Sequence, residues 1–512
     1  MDLARDPGVA LVSPGWIALE VVAAILAYEL VRGFVVRRVR AAAGASAVAF
    51  VRRHRIRLES ARFIDRVWIR EALAQDARIE SAVARIAADG VRSIRELRAQ
   101  VDAYVEEIAP FFSLAAYYRL GPLLAKRVVN FCFELVFAPG AFEAQLAKVP
   151  PEAVRVYVIN HRANMDPLVL AYGLLRHVPM SYAVGEWALV WPLHTLFRAF
   201  GSYFVRRGEK DPLYHAVLER FVQLLAGQGA VTGFFPEGGL SRDGALRKAR
   251  IGLLDYIVGL RVDHPDQDIA FMPVGLNYDR VLEDRILLRD KDGKPRRPTI
   301  GERLLAIGWG FVWLPRLVVA NLLRVATRSH RKFGYAAITF GEPLLLSQWP
   351  GGSGIHALPS EPRKAALEGL AEELLQRRVG RVVPATPVPI YATALLRDGP
   401  ADDAAVRRRV REVLAELRGR GVNLALGRAF DDIRKKRDPS AGPAIHETFE
   451  AALIDDEEAD QVASLAATLL EGRKVVRRVR GPSGIVHTPI APDATDVLRY
   501  YANSIRHHWE PA

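Results

Sequence analysis

A histidine and an aspartate stand five positions apart, at His161 and Asp166. The apolar run Val154–Ile159 before them has the length of a buried strand, and the pair Asp166-Pro167 is typical of a helix start. On one continuous helix, side chains five residues apart would point about 140° away from each other. A strand-to-helix turn is therefore needed to bring the two together. In such a turn the carboxylate can hold one imidazole nitrogen while the other takes a proton from an alcohol.

Each of the two residues also has a purely structural interpretation. Asp166 could act only as the cap of the helix that begins at Pro167. A histidine near the end of a strand is commonly a polar loop residue. The spacing alone therefore leaves catalysis and a structural role open.

A second segment with chemical potential is residues 201–208, Gly-Ser-Tyr-Phe-Val-Arg-Arg-Gly. Arg206 and Arg207 at the end of a short strand could present paired donors to a phosphate. Side chains alternate along a strand, so only one of the two naturally faces a cleft, and the pattern does not say which. An exposed strand end remains the alternative.

A third segment is residues 235–242, Phe-Pro-Glu-Gly-Gly-Leu-Ser-Arg, which is followed by Arg247, Lys248 and Arg250. Its glycines would allow backbone amides to approach a ligand, and Ser241 and Arg242 could hold phosphate oxygens. A plain turn is the alternative.

The elements that must position these residues can be predicted from the alternation of apolar runs. From about residue 150, strand-length runs alternate with helical patterns, which is typical of an α/β domain with a largely buried sheet. A fourth segment at residues 271–278, Phe-Met-Pro-Val-Gly-Leu-Asn-Tyr, predicts a strand that ends in polar groups and by itself indicates a structural role. We expect residues 41–149 to form a helical N-terminal region, residues 150–350 an α/β domain with a mostly parallel or mixed sheet flanked by helices, and residues 351–512 a mainly helical C-terminal region.

The first 40 residues are a candidate membrane anchor, because the apolar run at residues 16–36 is long enough to cross a bilayer. Glu20, Glu29 and Arg32 interrupt this run, so a spanning helix, an interfacial helix and a buried soluble helix all stay open. If the helix spans, the arginines that follow it predict a cytoplasmic C-terminal side. The run at residues 304–326 could likewise lie in the membrane interface or pack on the domain.

The charge of the chain favours anionic partners. Its 512 residues include 71 Lys and Arg against 58 Asp and Glu, for a formal net charge of +13. Phosphorylated substrates and anionic lipid surfaces would fit such a charge, although a solvated basic surface would also carry it. We expect no nucleic-acid partner, because helix-turn-helix, zinc and aromatic-strand signatures are missing. The single cysteine, Cys132, excludes intrachain disulfides and fits a reducing compartment.

Taken in order, the four segments resemble the four motifs of the glycerolipid acyltransferases. The Glu-Gly-Gly form of the third motif resembles more narrowly the family of glycerol-3-phosphate and dihydroxyacetone-phosphate acyltransferases. So do the stretches at residues 386–396 and 498–507. The likeness extends from about residue 69 to the end of the chain.

This resemblance implies an enzyme that moves a fatty acyl group from acyl-CoA or acyl carrier protein to the sn-1 hydroxyl of glycerol 3-phosphate, the first step of phospholipid synthesis. It implies that His161 is the general base and Asp166 its partner, without an acyl-enzyme, a cofactor or a metal. The acceptor-binding candidates that it implies are Arg206, Arg207, Glu237, Gly238, Ser241, Arg242 and Lys248.

Two residues depart from the pattern of the family. Leu240 stands where the family usually carries a basic residue, and Pro167 where an aromatic residue is frequent. Lysophosphatidate or another phosphorylated alcohol is therefore an alternative acceptor. A non-catalytic membrane-associated scaffold is the alternative from a different class. We expect the protein at the cytoplasmic face of the cell membrane, against an anionic surface, held there by one N-terminal helix or peripherally.

Overall fold

A computed structural model describes residues 66–108, 121–137, 139–174, 180–185, 203–206, 208–227, 231–289, 332–426, 456–481, 484–490 and 492–510. The two candidate membrane segments, at residues 16–36 and 304–326, lie outside these ranges. Within them, no helix is both long enough and apolar enough to cross a membrane.

The described residues are organised around a mixed β-sheet. Its strands are β1 Glu134–Phe137, β2 Val154–Ile159, β3 Met180–Gly185, β4 Tyr203–Val205, β5 Val231–Phe234, β6 Ile269–Tyr278, β7 Tyr335–Phe340 and β8 Leu344–Leu345. The order across the sheet is β1-β7-β6-β2-β5-β3-β4, and β8 pairs with β6. Strands β2 to β6 are mutually parallel, whereas β7 and β8 run antiparallel to β6 and β1 runs parallel to β7. The predicted fold class is confirmed.

Helices cover both faces of this sheet. Before β7 they are α1 Arg66–Ala74, α2 Ala77–Ala87, α3 Ile94–Ile108, α4 Gly121–Cys132, α5 Pro139–Leu146, α6 Asp166–Leu174, α7 Pro212–Gly227, α8 Gly252–Val258 and α9 Asp284–Arg289. After it come α10 Ser360–Glu372, a π-helical stretch Glu373–Val379, one turn Gly380–Val382, α11 Pro387–Asp398, α12 Asp403–Gly419, α13 Asp456–Glu471 and α14 Pro492–Arg506. Short 3-10 turns occupy Gly259–Val262, Leu346–Gln348 and Gly352–Ala357.

Strand β2 shows how the sheet divides the core in two. Val156 and Val158 are buried in a cluster with α1, α2, α3, α7, α8 and α10. Tyr157 and Ile159 are buried in another cluster with α4, α11, α12, α13 and α14. Successive side chains of a strand point to opposite faces, and a parallel strand covered on both faces is apolar along its whole length. The continuous apolar run of β2 is explained by these two layers.

The sheet begins earlier in the chain than the sequence analysis predicted. The predicted boundary of the α/β domain was residue 150, yet β1 pairs with β7 from Glu134 onwards. The prediction missed β1 because this strand has only four residues and its partner lies far along the chain. A second small sheet in the C-terminal region was also not predicted. It has the order β10-β11-β9, from β9 Ala401–Asp402, β10 Val476–Gly481 and β11 Gly484–Pro489.

Candidate active site

The topology gathers the four segments singled out in the sequence. Parallel strands have their carboxyl ends at one edge of the sheet, where α/β proteins form their ligand sites. His161 follows β2, Arg206 follows β4, and the loop of residues 235–251 follows β5. Strand β6, beside β2, ends at Tyr278 on the same edge.

The predicted pair is formed. Nδ1 of His161 lies 2.8 Å from Oδ2 of the buried Asp166. The backbone N–H groups of Arg162 and Ala163 donate to the same oxygen at 2.7 and 3.1 Å, and the hydroxyl of Tyr278 donates to Oδ1 at 2.6 Å. Because the carboxylate serves as acceptor in all these contacts, we infer that Nδ1 carries the proton and donates it to Asp166. The lone pair of the imidazole is then on Nε2.

The second nitrogen of His161 is available for chemistry. The imidazole stacks on Phe235, with ring centroids 4.2 Å apart and planes at 23°. Nε2 has no hydrogen-bond partner among the residues that the structure describes, and His161 lines a cleft of about 280 Å³. A basic nitrogen of fixed orientation thus faces a space that a small substrate can enter.

Glu237, a predicted acceptor-binding residue, is buried beneath His161 instead of lining the cleft. Its Oε1 accepts the backbone N–H of His161 at 2.7 Å, and its Oε2 accepts the backbone N–H of Arg247 at 3.1 Å. Burial raises the pKa of the Glu237 carboxyl. This arrangement suits a side chain that positions the histidine.

The other candidates of the third motif are spread over different surroundings. Gly238 lines the cleft and has a positive φ of 66°. The hydroxyl of Ser241 is buried and donates to Oδ1 of Asp243 at 3.0 Å. Arg242 and Lys248 are exposed and are not among the residues that line the cleft.

The second motif contributes a paired cation. Arg206 lines the cleft, and its guanidinium donates to Glu107 at 2.5 and 2.7 Å and to Glu209 at 3.1 Å. Its backbone N–H donates to the hydroxyl of Tyr214 at 2.9 Å, which fixes the end of β4. Arg207 lies outside the described residues.

The remaining lining is largely apolar, with one histidine that is already occupied. Nε2 of His215 lies 2.9 Å from the carbonyl of Glu209 and must donate to it, so Nδ1 accepts from the hydroxyl of Tyr256 at 2.8 Å. With both nitrogens engaged, His215 is a poorer candidate base than His161. The other residues of the lining are Pro167, Val205, Gly208, Tyr214, Leu218, Phe234, Phe235, Pro236, Gly239, Arg250, Gly252 and Leu253.

Arg162 is a residue whose part in the site the sequence analysis missed. It is 2% exposed, and its guanidinium donates to the backbone carbonyls of Gly244 and, at 2.7 Å, of Ser504. It therefore joins the turn of His161 to the third motif and to α14. In the sequence, only the position of Arg162 next to His161 could have indicated this role, because both of its hydrogen-bond partners are far away in the chain.

The C-terminal helix α14 braces the loop of the third motif directly. Gly244 has φ 87°, and a Cβ at this position would lie 1.8 Å from the carbonyl oxygen of Tyr500. The side-chain amide of Asn503 donates to the carbonyl of Asp243 at 2.9 Å. These contacts explain why a stretch near the C-terminus occurs together with the four motifs in the sequence, although the His161 turn follows β2.

Two family models match the chain. A model described as Acyltransferase matches residues 143–277, and one described as Glycerol-3-phosphate acyltransferase C-terminal region matches residues 319–429. The first contains the turn of His161 and the loop of the third motif, and the second contains α10 and α11.

Relatives with the same description are found in several bacteria. A glycerol-3-phosphate acyltransferase of Xanthomonas campestris is 27% identical over 372 residues, which cover 69% of this chain and 39% of that protein. One of Aeromonas hydrophila is 30% identical over 261 residues, covering 50% of this chain and 30% of that protein. A crystal structure of the 1-acyl-sn-glycerophosphate acyltransferase of Thermotoga maritima aligns with 62% of this chain and 92% of that one, at 15% identity and a TM-score of 0.29.

The chain spans about two fifths of the length of the Xanthomonas relative that it matches. The residues matched by the two family models include the His161–Asp166 turn, the glycine-rich third motif and part of the C-terminal region. By these matches and by the order of its four motifs, the chain is similar to the glycerol-3-phosphate acyltransferases.

Proposed function

We propose that this protein is an O-acyltransferase that moves a fatty acyl group from an acyl thioester to the sn-1 hydroxyl of glycerol 3-phosphate. The observation that carries the proposal is the imidazole of His161, held through Nδ1 by Asp166 with Nε2 directed at a cleft. The names of the Xanthomonas and Aeromonas relatives support the choice of acceptor.

In this mechanism His161 acts as a general base. Nε2 takes the proton of the acceptor hydroxyl while the hydroxyl oxygen forms a bond to the thioester carbonyl carbon. The carbon–sulfur bond then breaks, and the proton passes from the imidazolium to the leaving thiolate. Asp166 stabilises the imidazolium between these steps, as the carboxylate does in serine hydrolases.

The donor is an acyl thioester of coenzyme A or of acyl carrier protein, and both carry the same reacting bond. The acyl chain has apolar surface available in the cleft, where Val205, Leu218, Phe234 and Leu253 form part of the lining. Both the product and the acyl thioester donor are amphiphilic, and the protein carries a formal net charge of +13. We therefore propose that the protein works at the anionic cytoplasmic face of a membrane.

One assay tests the activity and separates the acceptors. The purified full chain is incubated with a radiolabelled acyl thioester and, in parallel, with glycerol 3-phosphate, dihydroxyacetone phosphate, lysophosphatidate or glycerol. We expect labelled 1-acyl-glycerol 3-phosphate as the main product. A main product from lysophosphatidate would reassign the acceptor, and Leu240, at the position of a missing cation, is the reason to include it. Lack of acylated product with every acceptor, from a folded protein, would refute the acyltransferase proposal.

A further inference from the structure

The cleft beside His161 has the charge of an anion site. None of the described residues that line it is an Asp or a Glu, whereas Arg206 and Arg250 both contribute to the lining. A cleft with cations and without carboxylates in its wall raises the local concentration of an anionic ligand.

The two arginines differ in whether neighbouring carboxylates neutralise the charge of their guanidinium groups. The guanidinium of Arg206 contacts the carboxylates of Glu107 and Glu209. Arg250 is exposed, and among the described residues its guanidinium has neither a carboxylate nor a hydrogen-bond partner. A phosphate would have to compete with two carboxylates for Arg206 but with none for Arg250.

The loop of the third motif holds Arg250 close to the catalytic pair. The backbone N–H of Arg250 donates to the carbonyl of Pro236 at 2.8 Å. At Gly238, which has φ 66°, a Cβ would lie 2.6 Å from Cδ of Arg250. The glycine therefore leaves the space that the Arg250 side chain crosses. Glu237, the residue before it, holds the backbone of His161.

We propose that Arg250 binds the phosphate group of the acceptor and orients its free hydroxyl toward His161. This inference rests on the proposed function and identifies the residue that confers selectivity for a phosphorylated alcohol. The planar guanidinium can donate two parallel hydrogen bonds to a phosphate. It supplies the charge that Leu240, ten residues earlier, does not.

Coenzyme A also carries phosphates, so the same chemistry could serve the donor. Because Arg250 shares the cleft of His161, where the acceptor hydroxyl must be deprotonated, we assign it to the acceptor. The two possible ligands of Arg250 predict different results. Loss of a contact with the acceptor weakens the binding of glycerol 3-phosphate, whereas loss of a contact with the donor weakens the binding of acyl-CoA.

Equilibrium binding tests this assignment without turnover. The affinity of the full chain for glycerol 3-phosphate is measured by calorimetry for the wild type and for Arg250→Ala, Arg250→Lys and Arg408→Ala. Arg408 is an exposed arginine of α12 and serves as a control for the loss of one positive charge. We expect Arg250→Ala to weaken binding by about 10- to 100-fold, the usual effect of losing a hydrogen bond to a charged group. Arg250→Lys should retain part of the affinity, and Arg408→Ala should bind as the wild type does.

Steady-state kinetics of the same proteins then separates the two proposals. We expect a rise in the KM for glycerol 3-phosphate with Arg250→Ala, with an unchanged KM for acyl-CoA. The assignment is overturned if the wild type does not bind glycerol 3-phosphate, if Arg250→Ala binds it as tightly, or if only the affinity for acyl-CoA falls. Binding of glycerol 3-phosphate that depends on Arg250, without any acyl transfer, would retain the anion site and refute the proposed function alone.

Discussion

The hydroxyl of Tyr278 donates a 2.6 Å hydrogen bond to Oδ1 of Asp166, the oxygen that His161 does not use. Tyr278 is the last residue of β6, and Asp166 is the first of α6 after the neighbouring strand β2. Burial, with Asp166 beside it, raises the pKa of the Tyr278 hydroxyl well above its usual value, so it remains a donor. The strand of the fourth motif thus orients the carboxylate that orients the base.

Removal of this hydroxyl should slow catalysis without unfolding the protein. In Tyr278→Phe the carboxylate keeps its other donors but loses one that fixes its plane. We expect kcat to fall by about 10- to 100-fold, in keeping with a charge-assisted hydrogen bond. Tyr157→Phe is the matched control, because the buried hydroxyl of Tyr157 has no hydrogen-bond partner among the described residues. Equal activity of the two variants would show that Tyr278 does not position Asp166.

Replacement of Glu237 by Gln should affect both folding and rate. A glutamine side chain has one acceptor end and one donor end, so it can accept from only one of the backbone N–H groups of His161 and Arg247. The other N–H would be buried without a partner, at a cost of about 1–3 kcal/mol. We expect the free energy of unfolding in urea to fall by this amount, and the rate of acyl transfer to fall with it.

The control for this charge loss is Glu368→Gln, at an exposed position of α10. It should unfold and react as the wild type does. An unchanged rate in Glu237→Gln, together with the loss of stability, would make Glu237 a structural residue only.

The contact between α14 and the third motif predicts that Gly244 cannot carry a side chain. Gly244→Ala combines a positive φ of 87° with a Cβ placed against the carbonyl of Tyr500. Gly421→Ala has a comparable φ of 70° but open space around the new Cβ. We expect Gly421→Ala to cost about 1–2 kcal/mol of unfolding free energy from backbone strain, and Gly244→Ala to cost about 1–3 kcal/mol more from overpacking.

Only Gly244→Ala should also reduce acyl transfer, because the new Cβ pushes residue 244 away from Tyr500 and so moves the loop that holds Glu237. Urea unfolding and initial rates of both variants measure these effects. Two variants of equal stability and equal activity would contradict a bracing role for α14.

The buried carboxyl of Asp279 predicts a pH dependence of stability. It accepts the backbone N–H groups of Val388 and Tyr335 at 2.8 Å each, and burial raises its pKa from about 3.8 to about 6. Because the folded state keeps this proton to a higher pH than the unfolded state does, its contribution to stability is lost as pH rises from about 4 to about 6. The loss amounts to about 3 kcal/mol.

Asp279→Asn does not titrate and isolates this effect. The variant will be less stable at every pH, since an amide cannot accept both N–H groups. The measured quantity is the wild-type unfolding free energy minus that of the variant, from pH 4 to pH 7. We expect it to decrease by about 2–2.5 kcal/mol over this range, since at pH 4 the unfolded carboxyl is already partly ionised. A difference that is constant with pH would show that Asp279 ionises normally in the folded protein.

The sequence allowed prediction of the elements whose signal is local. The runs of β2 and β6 are continuously apolar because both of their faces are covered, and the turn of His161 and Asp166 lies within seven residues. Strand β1 was missed because it has only four residues and is defined by its pairing with the distant β7.

The residues that hold His161 and Asp166 in place could not be predicted, because their contacts join parts of the chain that are far apart in the sequence. The partners of Arg162 are the carbonyls of Gly244 and Ser504, and the partner of Asp166 is Tyr278, all more than 80 residues away in the chain. The resemblance to a family predicts an acceptor-binding role for Glu237, whereas its carboxylate accepts the backbone N–H groups of His161 and Arg247. The sequence could not indicate these two contacts, because they join separate parts of the chain.

The rate of acyl transfer by His161→Ala tests the central claim most directly. Initial rates with a radiolabelled acyl thioester and glycerol 3-phosphate are compared for the wild type, His161→Ala and His264→Ala, the last at an exposed histidine away from the cleft. Loss of a general base predicts a decrease of at least about 100-fold for His161→Ala, with an unchanged unfolding midpoint and normal activity of His264→Ala. A folded His161→Ala protein that transfers the acyl group at the wild-type rate would contradict the account.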